Sequence, residues 1–438
     1  NQQDNSSRSI LAAQPSTPGT TTNAPAQTSR DLSDGHTPTW RLQSDLTRAL
    51  GANTKLETGV LGIHRRTGNT FDASTLVDGD YVPNVARSNA FAYREDVQSL
   101  YGVLSQRAGA FELQGGLRLE RATTRFDLAT QAAPPATASA PSADAVGGTV
   151  ARTYNSGYNS AFPSALVAYN LDLKRQVKIS YSRRISRPDP QQLNPSPFRE
   201  DALNVFQGNP ALRPEYTDAY ELGYQQSFAK GSFQLSPYFR RTPHAVRYIR
   251  LVDTSGVTLS TFDNVARNDS YGTDLNLSLR LGRFTAFGGG SAFREITDAH
   301  NVTPDVSFHA FGWTARGNGT FKLTPSLDLQ AFAFYRAPMN TEGGRSLGFK
   351  MTTFALKQKL RGDNASLTLR AQDPFNTMAW GIRTIDGQIV QTTDRRFGAR
   401  ALSLSYNYTF GKAPKFRPRT DDTPQQAPAG GAGGGPPG

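Results

Sequence analysis

The 438-residue chain has no cysteine, which removes disulfides, thiolate metal sites and cysteine nucleophiles together. Hydrophobic residues are scarce as well, at 37 % of the chain against roughly 45–50 % (counting glycine) in ordinary globular proteins. Mean hydropathy is -0.51, so residues for a thick aliphatic core are lacking. No apolar run approaches the roughly 18 residues that a membrane-spanning helix needs, which excludes a helical membrane protein. Only five histidines occur. His36, His64, His244, His300 and His309 show no His-x-x-x-His or carboxylate spacing suited to a metal, and read as ordinary polar residues. A Gly-x-Ser-x-Gly elbow, a Walker loop and a dinucleotide fingerprint are all missing, and the glycines of 286–293 ("AFGGGSAF") read as close strand packing. No catalytic residue, cofactor site or metal site is expected, nor is an enzyme. Asn1 follows no Met, n-region or h-region, so a mature chain or a fragment is expected.

What is present is aromatic and basic. Aromatic residues reach 10 %, with 25 Phe and 16 Tyr, and the net charge is +12. The Lys and Arg are spread through the chain without a recognisable DNA- or RNA-binding module, so no nucleic-acid partner is expected. Alternation with period two recurs throughout. In 111–120 ("FELQGGLRLE"), Phe111, Leu113, Leu117 and Leu119 oppose Glu112, Gln114, Arg118 and Glu120. The same split occurs in 177–182 ("VKISYS"), 271–281 ("YGTDLNLSLRL") and 401–410 ("ALSLSYNYTF"), and it is the pattern of strands with one oily and one wet face. About fifteen such segments of roughly ten residues match the length of tilted transmembrane strands.

The connections alternate in length. Short ones fall at 51–54, 107–109, 171–175, 229–231, 282–283, 324–326 and 361–364, and long ones at 129–157, 187–215, 251–270 and 373–396. Short turns on one side and long loops on the other describe an outer-membrane barrel. Placing an Arg or Lys on a lipid face costs about 2–4 kcal/mol at the midplane, and Arg118, Lys178, Arg240 and Arg280 all take the other parity. Lipid tolerates no unpaired edge, which forces closure. The expected fold is therefore all-β, an antiparallel transmembrane β-barrel of about 14–16 strands. Three segments resist this pattern. The apolar parity flips between Met351 and Phe354, Pro237 sits inside a strand, and 327–336 is apolar on both faces; a bulge is the expected cause of the first two. Trp40, Trp313, Tyr406, Tyr408 and Phe410 suit interfacial aromatic girdles. Residues 1–38 read as a low-complexity loop or tail, 39–411 as the barrel portion, and 412–438 as a disordered Pro/Gly-rich tail.

The stretches "YNSAFPSALVAYNL" (158–171), "YSRRISRPDPQQLNP" (181–195) and "GNPALRPEYTDAYELGY" (208–224) occur in that order, with "EDVQSLYGVLS" (95–105) before them and "DPFNT" (373–377) and "YNYTF" (406–410) after. Together they resemble the C-terminal barrel of TonB-dependent receptors, in the outer-membrane β-barrel family. The resemblance implies a barrel of about 22 strands with an N-terminal plug, of which this chain would be the C-terminal part. It implies import of a scarce ligand, such as a metal chelate, oligosaccharide or peptide. Its implied partners are outer-membrane lipid and lipopolysaccharide, together with a TonB-type energising complex acting through a plug that this chain lacks. A plug-less porin or structural barrel is the alternative, and a barrel protease or lipase would need a catalytic cluster that the pattern does not offer.

Within the motif, Gly208-Asn209-Pro210 suits a tight turn, and Pro214 ends irregular backbone just before a strand at Tyr216. Arg183, Arg184 and Arg187, with Pro188 after them, stand opposite Glu200, Asp201, Glu215 and Asp218 across the loop. An ion-pair network ordering this loop over the barrel mouth is expected; the alternative is solvated rim charges contributing about 0–1 kcal/mol each.

Overall fold

Alternating sequence demands extended backbone with two unlike faces, and strands dominate the computed structural model. The structure describes residues 4–12, 28–85, 87–131, 149–199, 204–252, 258–302, 307–341, 344–360, 364–386 and 389–410. The chain opens with β1 (Asp4–Ala12), β2 (Thr28–His36), β3 (Thr39–Ala49), β4 (Thr54–Val77), β5 (Asp80–Pro83), β6 (Asn89–Ala108), β7 (Phe111–Gln131), β8 (Thr149–Asn170) and β9 (Arg175–Ser186). A one-turn helix α1 (Pro190–Leu193) and the short β10 (Phe198–Arg199) and β11 (Asn204–Phe206) lead to β12 (Glu215–Phe228) and β13 (Gly231–Pro243). Then follow β14 (Val246–Val252), β15 (Thr258–Asn264), β16 (Arg267–Leu281), β17 (Phe284–Asp298), β18 (Ser307–Lys322) and β19 (Leu327–Arg336). The chain continues through β20 (Met339–Thr341), β21 (Gly344–Ser346), β22 (Phe349–Leu360), β23 (Ala365–Gln372), β24 (Ala379–Asp386) and β25 (Ile389–Arg396) to β26 (Ala401–Tyr408).

One 18-stranded sheet forms the wall. It runs β3, β4, β6, β7, β8, β9, β12, β13, β16, β17, β18, β19, β22, β23, β26, each strand antiparallel to the next. β2 continues the line of β3 past Pro38 and pairs with the far half of β4, and β1 pairs with β2. Two strands thus lie within residues 1–38, read above as low complexity. The segment 412–438 lies outside the described residues. Short hairpin turns close one end of the wall, with Gly109 (φ 61°) and Gly282 (φ 60°) supplying left-handed backbone at two of them. The connections at the other end are long, and four of them build small sheets of their own. β10, β11, β14 and β15 form one small sheet, and β20, β21, β24 and β25 another. Strand β7 extends into the span 129–157, and 251–270 holds most of a hairpin instead of a plain loop. Among the described residues no ladder joins β3 to β26.

The polarity of the wall changes along the strands. On β7, Phe111, Leu113, Leu117 and Leu119 are 41–48 % exposed on the outer face, while Glu112, Gln114, Arg118 and Glu120 point inward. This stretch matches the roughly 9–11 residues a tilted strand needs to cross a bilayer. Past Leu119 the outward residues become Arg121, Thr123 and Arg125, and the inward ones become Ala122, Phe126 and Leu128, all buried. The flip at Met351 and Phe354 has the same cause. Phe349 and Met351 face inward above the apolar belt, Phe354 and Leu356 face outward within it, and the register with β19 and β23 is unbroken. No bulge is present there. None occurs at Pro237 either: the β13–β16 register is continuous, and the β12 ladder is interrupted between the pairs Glu221–Tyr238 and Tyr224–Leu235. An imino nitrogen that cannot donate explains that gap. On β19, Leu329, Ala331 and Ala333 share the outer face, while Phe334 packs inside against Phe349 (ring centroids 6.0 Å).

Candidate functional site

Two connections fold inward at the long-loop end of the wall. Residues 187–214 carry α1, β10 and β11, and residues 244–266 carry β14 and β15. β11 pairs in parallel with β15, which pairs with β14, so the two loops become one body. Beneath it the inner faces of β6 and β7 present Phe91, Tyr93, Phe126 and Leu128, and the loops add Leu193 and Leu212 in one buried cluster. Tyr154, Val246 and Phe262 pack around its edge, and the Phe91 and Phe126 rings stack at 5.2 Å. Apolar burial of about 1.5–3 kcal/mol per large side chain holds the loops down.

Below this cluster lies a charged clamp. The Glu95 and Glu120 side chains are each only 4 % exposed, and both pair with the guanidinium of Arg187, which follows β9. Arg187 Nε donates to the Tyr158 hydroxyl at 2.7 Å. Arg65 approaches Glu95 at 3.3 Å and Arg118 approaches Glu120 at 3.6 Å, so each acid meets two cations. Burial pushes the Arg187 guanidinium down from its ordinary value while Glu95 opposes the shift; an arginine stays charged there. Removing one member of such a buried set strands the others at a cost of about 3–5 kcal/mol.

The residues singled out in the sequence fall around this body. Gly208 sits where two backbones touch: a Cβ there would lie 2.6 Å from Asn194 O and 2.7 Å from Gln192 O. Gly208 N–H donates to Asn194 O (2.8 Å) and Asn209 N–H to Gln192 O (2.7 Å). The Asn209 side chain donates to Phe262 O (3.1 Å) and accepts from Ala211 N–H (2.9 Å). Pro210 takes the second position of the turn closed by Leu212 N–H on Asn209 O. Pro188 precedes the Asp189 cap of α1, whose N–H is taken by Gln192 Oε1 at 2.9 Å. Pro214 stands immediately before β12.

Among the charges, Arg183 reaches Asp218 at 3.9 Å, and Arg184 is exposed with no ion pair among the described residues. Glu215 accepts from Val246 N–H and lies 3.7 Å from Arg247, which also meets Glu295 at 3.0 Å. Glu200 and Asp201 lie outside the described residues. Arg187 therefore grips the barrel wall, and Glu215 grips the second loop. The sequence reading missed Glu95, Glu120 and Asn264. Asn264 accepts from Arg213 N–H (2.9 Å) and donates to Arg213 O (3.1 Å) and His244 O (2.8 Å), stitching the two loops. The one signal for the acids was their inward parity next to Arg65 and Arg118. Among the described residues no group of three or more His, Asp or Glu side chains is arranged to hold a metal. Phe198 and Tyr248 keep 38 % exposure on the loop body and are the aromatic surface it offers.

Solved structures share this architecture. The ferric yersiniabactin uptake receptor FyuA from Yersinia pestis superposes with a TM-score of 0.60 at 13 % identity, over 88 % of this chain and 56 % of that one. The ferric-catecholate import receptor Fiu from E. coli K12 gives 0.58 at 16 % identity, over 88 % and 55 %. The copper transporter OprC gives 0.61 at 16 % identity, over 93 % and 61 %. The chain thus spans a little over half the length of the receptors it matches, and it has the fold of TonB-dependent receptor barrels. Sequence comparison with curated proteins gives no match. A sequence profile of the outer membrane protein beta-barrel family matches residues 1–408; the chain belongs to that family and is a β-barrel of the bacterial outer membrane.

Proposed function

We propose that this chain forms the barrel wall and outer mouth of a receptor that imports a scarce ligand by energised transport. The observation that carries this reading is the loop body folded inward at one end of the wall. Loops 187–214 and 244–266 fold into a body with its own buried core and an arginine clamp, which suits capture and gated release better than free diffusion. The similar structures import ferric chelates or copper, so a metal chelate is the first ligand class to test. Energy would arrive from an inner-membrane TonB-type partner through a plug carried outside this chain, and further strands would cover the edges of β3 and β26 that are unpaired among the described residues. The test is uptake of labelled ferric chelates and copper by cells with and without the intact gene. Uptake of one ligand that requires the gene and stops on adding an uncoupler supports the reading. Gene-dependent flux that ignores the uncoupler makes the protein a passive porin instead.

A further inference from the structure

The long-loop end of the wall carries two small sheets, and they treat their arginines differently. In the body built on β11, β14 and β15, Arg187 is paired with Glu95 and Glu120, and Arg247 with Glu215 and Glu295. In the sheet of β20, β21, β24 and β25 like charges stand together. Arg345 is the direct partner of Arg383, and Asn340 and Thr392 complete that row across the four strands. Arg396, opposite Ala379, lies on the same face. Opposed side chains in a sheet start about 5 Å apart, and like charges so placed are destabilising. All three arginines are exposed, and none makes an ion pair among the described residues. Asp394 shares their face, opposite Gly381, but pairs with none of them. Glu342, in the turn between β20 and β21, lies outside the described residues.

Parity fixes which way the arginine face looks. Met339, Ser346 and Ile382 form the neighbouring row and belong to the opposite face, together with Trp380. Met339 reaches the inner side of β18, since a Cβ on Gly312 would lie 2.9 Å from its sulfur, and Gly312 is the cross-strand partner of the inward Phe293. The apolar face of this sheet therefore rests on the wall, and the arginine face looks away from it. The wall below continues the bias. On β4 to β13 the inward acids Glu57, Glu95, Glu112, Glu120 and Glu221 each have a cation at 2.9–3.9 Å. On β16 to β23, Arg280, Arg316 and Arg370 point inward with no acid among their cross-strand partners, and Asp328 stands between Lys322 and Lys357. An anion arriving at this end meets guanidinium forks first and a run of inward cations beneath them.

We infer that the ligand is an anion, a metal chelate whose anionic oxygens bridge Arg345, Arg383 and Arg396 and supply the countercharge that this sheet lacks. The inference rests on the import reading for the use of the site, whereas the binding itself is independent of transport. The test is titration of the intact detergent-purified protein with two iron chelates of matched size, an anionic tris-catecholate and an uncharged tris-hydroxamate. The anionic chelate binds more tightly by about tenfold or more, and replacing Arg345, Arg383 and Arg396 together by Ala removes that advantage. The double variant Arg66→Ala/Arg94→Ala, on the outer face of the wall, binds as the parent does. As a check that needs no variant, the bound anionic chelate shields Arg345 and Arg383 from phenylglyoxal in the parent, mapped by mass spectrometry, and leaves Arg66 reactive. Equal affinity for the two chelates, no binding of the anionic one, undiminished binding by the triple variant, or equal labelling of Arg345 with and without chelate would overturn the proposal. Energised uptake confined to an uncharged ligand would also overturn it while leaving the receptor reading intact, and anion binding with a flux that ignores an uncoupler would do the reverse.

Discussion

Strands β6 and β7 meet two opposite environments along one backbone. From Phe111 to Leu119 the outer side chains are apolar and the inner ones polar or charged, while from Arg121 to Asp127 the outer side chains are polar and the inner face buries Ala122 and Phe126, with Thr124 and the clamp acid Glu95 between them. The period of two is unbroken across the change. Only the sign inverts, because the first stretch has hydrocarbon outside and water within, whereas the second has water outside and a packed loop body within. Removing apolar area from water drives both arrangements; what differs is which face has something apolar to cover it. A parity flip in a barrel strand can therefore mark the edge of the bilayer, and the flip at Met351 and Phe354 marks it on β22.

The comparison is broken most strongly from the inside. Phe126→Ala removes a stacked, buried ring from the outer region and is expected to destabilise the loop body by about 3–5 kcal/mol. Limited proteolysis should then cut within 187–214, while the belt still resists unfolding on a heat-modifiability gel. A charge placed on the outer face separates the two regions next. Leu117→Arg is expected to cost about 2–4 kcal/mol in lipid, whereas Thr123→Arg, on the same strand face but past the belt, should stay within about 0.5 kcal/mol; chemical unfolding in vesicles reads both. Gly208→Ala is expected to cost about 1–3 kcal/mol, since a Cβ would collide with the backbone of Asn194. That loss should appear as faster hydrogen exchange in 190–212 and nowhere in the belt.

The smallest effect is pH-dependent. Asp373, fully buried in the turn after β23, accepts from Thr377 N–H (2.8 Å), Thr377 Oγ1 (3.1 Å) and Met378 N–H (3.0 Å). Burial pushes its carboxyl up, but the hydrogen bonds outweigh burial and hold it below the usual carboxylate range. Because the folded value is depressed, the stabilisation is full above the unfolded value of about 3.9 and is lost as pH falls through the folded one. Protease protection of 373–378 should therefore fall in acid in the parent and be weak at every pH in Asp373→Asn.

Much of this was legible in the sequence. Strand period, turn positions and the inward parity of Arg118 and Lys178 are local properties, fixed by neighbours two residues apart. The turn at Pro210 also shows in local composition, whereas the close approach at Gly208 does not, because the backbone it meets belongs to Gln192 and Asn194. The partners of Arg187 did not, since Glu95 and Glu120 lie 92 and 67 positions earlier in the chain and only the register of β6 and β7 brings them together. Loop acids such as Glu215 are nearer in sequence, and proximity along the chain points to them instead. The Met351 flip mimics a bulge because a two-residue pattern does not reveal where the solvent changes, and Pro237 mimics one because its missing N–H breaks a ladder without shifting the register.

The most direct test uses the absence of cysteine, which leaves a clean background for single-cysteine probes. A fluorophore placed in turn at each position from 111 to 128 of β7 is read in vesicles with a lipid-borne quencher and a water-borne one. The expected result is lipid quenching at 113, 115, 117 and 119, water quenching at the even positions 112 to 118 and at 121, 123 and 125, and neither at 126 and 128. Lipid quenching that continues through 125, or that reaches odd and even positions alike, would contradict a bilayer edge at Arg121.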